Sequence, residues 1–82
     1  MKVIEEIPHP VMKISIMSWN QKYIVKIEAK NYEQTFKVKE SDVSGGLADV
    51  KKMLDDEFLN VVAENFKRMH TTFVDTYNKN VL

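Results

Sequence analysis

Hydrophobic and polar positions alternate along residues 11–38 of the chain. Met12, Ile14 and Ile16 fall on one side of the first run, with Lys13 and Ser15 on the other. Tyr23, Val25 and Ile27 oppose Lys26 and Glu28 in the second, and Tyr32, Phe36 and Val38 oppose Glu33, Thr35 and Lys37 in the third. Period-two alternation in segments rich in β-branched and aromatic residues predicts strands. The expected spans are residues 11–19, 22–29 and 32–39, an antiparallel meander.

The turns are tested by the same pattern. A two-residue loop at Asn20-Gln21 sets Ser18 opposite Tyr23, Ile16 opposite Val25 and Ile14 opposite Ile27. A two-residue loop at Lys30-Asn31 sets Ala29 opposite Tyr32, Val25 opposite Phe36 and Tyr23 opposite Val38. Both registers place the apolar partners on one face, and a slip of one residue would turn a whole strand's apolar set to water. Neither loop is the favoured Asn-Gly pair, although Asn31 tolerates positive φ. A longer loop over residues 19–22 is the alternative for the first hairpin.

From Leu47 the spacing becomes helical. Leu47, Val50 and Leu54 form a short stripe; Phe58, Val62, Phe66, Met69, Phe73 and Tyr77 form a second, far around the cylinder from the first. A single helix over residues 47–78 would run ~48 Å, against ~30 Å for a nine-residue strand. A break near residues 54–57 is therefore predicted, with Asp55 or Asp56 capping the second segment. Ser44, before Gly45-Gly46, is the expected cap of the first. The fold class that follows is α+β: a three-stranded antiparallel β-meander, then a short and a long α-helix packed on one sheet face (βββαα). Within one domain over residues 1–82, residues 1–10 form an N-terminal arm, 11–39 the meander and 46–78 the helical half. Pro8 and Pro10 hold the arm extended around His9, while Val3, Ile4 and Ile7 dock on the body or add a short edge strand. The helical stripe is expected to be core, overhanging the sheet near Tyr77, Val81 and Leu82.

Composition narrows the function classes. The 82 residues are 44% hydrophobic, as expected of a folded domain, and so small a domain gains buried area readily by dimerising. Twelve basic residues balance twelve acidic ones, so there is no global pull toward nucleic acid or anionic lipid. The chain has no cysteine, which removes disulfides, thiolate nucleophiles and thiolate zinc sites. Glu5 and Glu6 interrupt what would be a signal-peptide core, and no apolar run approaches the ~18–20 residues of a membrane span. A cytoplasmic location is expected.

Candidate chemistry is sparse. The helical neighbours of His70 at three and four residues are Phe66, Lys67, Phe73 and Val74, which supply no second metal ligand. The carboxylates of Asp55-Asp56-Glu57 point ~100° apart on a helix and suit its N-terminus better than a shared ion. There is no Gly-x-Ser-x-Gly elbow and no glycine-rich phosphate loop. No catalytic residue, metal or cofactor is therefore expected, and the chain is read as a non-enzyme.

The outer sheet face carries the anomaly. It should be polar, yet Met17, Trp19 and Ile24 share it, with Met17 directly opposite Ile24. A cluster of apolar residues that holds the sole tryptophan suggests an interface, unless the arm covers it. The first functional reading is a protein-interaction domain whose partner is a second copy of itself or another protein, with Met17, Trp19 and Ile24 in the interface and the far end of the second helix, around Tyr77 and Val81, as the alternative surface. The second is a single-stranded nucleic-acid binder. Lys13, Lys22, Lys26 and Lys37 share the outer face with Trp19, and lysines around an aromatic suit stacked bases. In topology alone, strands followed by a long helix resemble the Pur-alpha and whirly single-strand-binding domains. Those use four strands per repeat where three are read here, and none of their sequence motifs is present.

Overall fold

A computed structural model describes residues 2–81. Strands β1 (Lys2–Ile7), β2 (Lys13–Trp19), β3 (Lys22–Ala29) and β4 (Tyr32–Lys39) form one antiparallel sheet in the order β1-β2-β3-β4. A 3-10 turn at Glu40–Asp42 leads to helices α1 (Leu47–Met53) and α2 (Asp56–Asn80). The class is α+β, with both helices on one sheet face.

The registers of the two central hairpins match the alternation residue for residue. Ile16 pairs Val25, Ile14 pairs Ile27 and Met17 pairs Ile24 across β2 and β3. Tyr23 pairs Val38, Val25 pairs Phe36 and Ala29 pairs Tyr32 across β3 and β4. The first loop is the tight two-residue form, with Asn20 at φ 54° and Gln21 at φ 62°. In the second, the positive φ of 55° falls on Lys30 and not on Asn31.

The sheet has four strands, not three. The N-terminal arm becomes β1, running from Lys2 opposite Ser18 to Ile7 opposite Ile14, with an irregularity between Val3 and Glu5. That irregularity gives the physical reason alternation misses the strand. One extra residue at Ile4 shifts the parity, so Val3 pairs Met17 on the outer face while Ile7 pairs Ile14 on the inner one. Ile4 and Ile7, three residues apart, both pack against the core. Glu5 lies opposite Ile16 and reaches α1, where the Lys51 ammonium donates to its Oε2 at 2.7 Å. The new strand pairs an edge of β2 that would otherwise be unsatisfied.

The core joins Met12, Ile14, Ile16, Val25 and Ile27 of the sheet side to Val50 of α1 and Leu59, Val62 and Phe66 of α2. The helix break falls where predicted. Asp55 caps α2, its Oδ1 accepting from the Phe58 N–H at 2.8 Å. Ser44 does not cap α1; the cap residue is Gly46, in the left-handed region at φ 63°. No side chain among the described residues caps α1; Asp49 instead ties down the approach to it, its Oδ2 accepting the Gly45 N–H at 2.8 Å. A 25-residue helix spans ~37 Å, longer than any strand of this sheet, so α2 runs past the sheet's end.

Candidate interaction surfaces

The overhang of α2 is the first surface. Val62 and Phe66 are buried, and Leu59 joins them although the apolar stripe read from spacing omits it. Phe58 and Met69 are partly buried. From His70 to Val81 every residue is exposed. Phe73, expected as core, is 60% exposed; Tyr77 and Val81, where the overhang was expected, are 46% and 62% exposed. The reason is geometric. Helical periodicity records which face is apolar, not how far the covering sheet extends. Positions 66, 73 and 77 lie on one helix face, so the face that seals the core continues uncovered beyond it. Leu82, grouped with this end in the sequence, lies outside the described residues.

The sheet ends beneath Phe73. Tyr32, first residue of β4, meets Phe73 edge to face at 6.3 Å and His70 at 5.8 Å between ring centroids. The Tyr32 hydroxyl and His70 Nδ1 are hydrogen-bonded at 3.1 Å. Val11, Met12, Tyr32, Phe66 and His70 line a cleft of about 320 Å³ where the sheet stops and the helix continues. Deeper in, Gln34 stands on the inner face of β4, its amide donating to the Val62 carbonyl at 2.9 Å while its Oε1 accepts from Asn65 Nδ2 at 3.3 Å. This bond ties α2 to the edge strand.

The outer sheet face is the second surface. Met17 and Ile24 pair as expected but are already buried, at 9% and 3% exposure, apart from the main core cluster. Val3 lies opposite Met17 and Lys37 opposite Ile24, so the pair is bracketed on its own row by side chains of β1 and β4. Of the trio, Trp19 alone stays open, at 52%. The arm neither lies across this face nor leaves it untouched: it extends the sheet sideways and contributes Val3 to the row.

The lysines of this face are not equivalent. Lys26 bonds Glu28 at 3.1 Å and lies 3.8 Å from Glu33. The Glu28 hydrogen bond and charge, then Glu33, raise its pKa above the ordinary lysine value. Lys13 pairs across from Glu28 at the same end. Lys22 lies at the opposite end, between Trp19 and Lys39, with Lys37 one row along. Lys39 belongs with this group, and its place as the last outward position of β4 was legible in the alternation.

Both histidines bond within the chain. His9 Nδ1 faces the Val11 and Met12 N–H groups at 3.2 and 3.1 Å, closing the turn between β1 and β2. His70 is held by Tyr32. Among the described residues, no three His, Cys, Asp or Glu side chains converge on a point that could hold a metal ion, and no helix is long and apolar enough to cross a membrane. The chain matches no protein family, no curated protein and no solved structure.

Proposed function

We propose that this chain is a non-catalytic interaction domain that self-associates through the overhang of α2. The observation that carries the reading is the continuity of one helix face: buried at Val62 and Phe66, then open at Phe73, Tyr77 and Val81. An apolar face that outruns its own sheet calls for a second surface to cover it.

A second copy of the chain fits it best. Asp75 and Lys79 are the only charged residues after Arg68 among the described ones. Each stands two residues from Tyr77, ~200° around the helix and away from the apolar face. The flanks are Thr72, Thr76, Asn78 and Asn80. An isologous contact sets identical patches against each other, and an uncharged patch does so without self-repulsion. Two overhangs packed antiparallel would also bring each Val81 toward the cleft at the partner's sheet end. Phe73, Val74, Tyr77 and Val81 leave on the order of 350 Å² of apolar surface in water per chain. Covering both copies is worth ~17 kcal/mol at ~25 cal/mol per Å². Association costs ~4–15 kcal/mol, so a micromolar dimer, ~8 kcal/mol, lies within reach.

Sedimentation equilibrium of wild type beside Tyr77→Asp and Trp19→Asp tests this. The expected result is a dimer at tens of micromolar that Tyr77→Asp converts to a folded monomer and Trp19→Asp leaves intact. A wild type that is monomeric throughout, or a dimer lost only with Trp19→Asp, overturns the proposal.

A further inference from the structure

A different surface carries an independent inference, one that goes beyond self-association. We propose that the corner of the outer sheet face formed by Trp19, Lys22, Lys37 and Lys39 binds single-stranded nucleic acid.

The register arranges the outer face in rows. Lys13, Glu28 and Glu33 make the row at one end; Trp19, Lys22 and Lys39 make the row at the other. Each end sets like charges directly opposite one another across β3 and β4, an arrangement that destabilises a sheet. The acidic pair is compensated, because Lys26 bridges Glu28 and Glu33. The basic pair is not. Among the described residues, none of Lys22, Lys37 and Lys39 has a carboxylate within ion-pair distance. Three ammonium groups thus stand on adjacent strands ~4.8 Å apart, in rows ~7 Å apart, and lack the counter-charge their acidic counterparts possess. Although the chain's net charge is zero, its outer face is polarised from end to end.

Two further features shape the corner. Trp19, 52% exposed, lies directly opposite Lys22, which places an open indole beside the cations. Lys22 and Lys39 also line a polar cleft of about 510 Å³ with Asn20, Gln21, Glu40 and Ser41. The lysines alone suit any polyanion. The indole selects among them: every nucleobase has a π-face to stack on an aromatic ring, and such stacking with phosphates on neighbouring cations is the recurring arrangement for sequence-tolerant single-strand binding. An acidic peptide would leave the ring without a stacking partner.

The test is fluorescence anisotropy with a labelled mixed-sequence DNA strand of about 12 nucleotides, within the usual reach of one small domain, at low salt and on the full chain. Saturable binding is expected, with quenching of Trp19 emission. Three phosphate contacts at ~0.7 each predict a log–log salt slope near −2. Lys39→Gln and Lys22→Gln should each weaken binding several-fold and Trp19→Ala about tenfold, whereas Lys13→Gln should change it less than twofold. Circular dichroism on each variant checks that the fold is retained. Tyr77→Asp should still bind, which separates this site from self-association. Four outcomes overturn the proposal: no binding at high micromolar protein, equal losses from Lys13→Gln and Lys39→Gln, no effect of Trp19→Ala, or equally tight capture of a Glu-rich peptide of the same length.

Discussion

Gln21→Gly is expected to stabilise this domain although it deletes a side chain. Gln21 sits in the left-handed region at φ 62°, second in a loop whose first residue, Asn20, is at φ 54°. That geometry matches the twist of the flanking strands, and Asn-Gly is its preferred pair. A non-glycine residue in this region costs ~1–2 kcal/mol. Glycine's greater freedom in the unfolded chain returns ~0.4–1 kcal/mol of that. Nothing else is lost: the Gln21 side chain is exposed and makes no hydrogen bond among the described residues, and the bond that Gln21 does make, from the Glu40 N–H at 3.0 Å, ends on its backbone carbonyl. The net gain should be ~0.5–1 kcal/mol, and at ~4–8 °C per kcal/mol the Tm should rise by about 2–8 °C. Differential scanning calorimetry measures the shift directly, and urea unfolding should show a higher midpoint with unchanged slope. Gln21→Val is the mirror experiment and should lower the Tm, because a branched side chain tolerates positive φ poorly. A Tm unchanged or lowered by glycine would mean that the loop strain deduced from the backbone is absent.

Other substitutions probe the remaining links. Ile27→Ala, at a fully buried position in the core cluster, should cost ~2–5 kcal/mol and leave the domain largely unfolded in mild denaturant by circular dichroism. Asp55→Ala removes the cap bond to Phe58 and should cost ~1 kcal/mol, with Asp55→Ser recovering most of it in thermal melts. Phe73→Ala should scarcely alter the stability of the monomer, since the ring is mostly exposed, yet weaken dimerisation by at least tenfold in dilution experiments.

What could be read from residues alone follows from which physical rule acts at short range. The inner face of the three central strands keeps period two through Ile14, Ile16, Val25 and Ile27, so each hairpin register was legible from them. The change of helix face at Leu54 required a break, and Asp55 was in place to cap it. β1 stood only as one alternative for the arm because its core residues, Ile4 and Ile7, are three apart. Only pairing with β2 and the parity shift at Ile4 bring both to the same face, and pairing is not a local property. The cap position fell to Gly46 and not to Ser44 because the chain enters α1 through a left-handed residue, which leaves the serine too far back.

The candidate surfaces divide in the same way. Alternation placed Met17, Trp19 and Ile24 on the outer face correctly, but not their depth: Met17 and Ile24 are buried among neighbours that include Val3 from the edge strand β1. It likewise placed the lysines without showing which carboxylates neutralise Lys26 and which cations lack a partner. The apolar stripe of α2 was legible from end to end. An overhang near Tyr77 was legible too, but not that it begins already at Phe73, because that depends on the sheet's length relative to the helix and on Tyr32 marking its edge.

The claim that two copies meet along α2 is tested most directly by an isotope-filtered nuclear Overhauser experiment on a mixture of labelled and unlabelled chains, which records contacts between chains only. The account predicts intermolecular contacts from the rings of Phe73 and Tyr77 to the methyl groups of Val74, Val81 and Val11, with none from Trp19. Intermolecular contacts at Trp19 with silence along α2, or no intermolecular contact at millimolar protein, would contradict it.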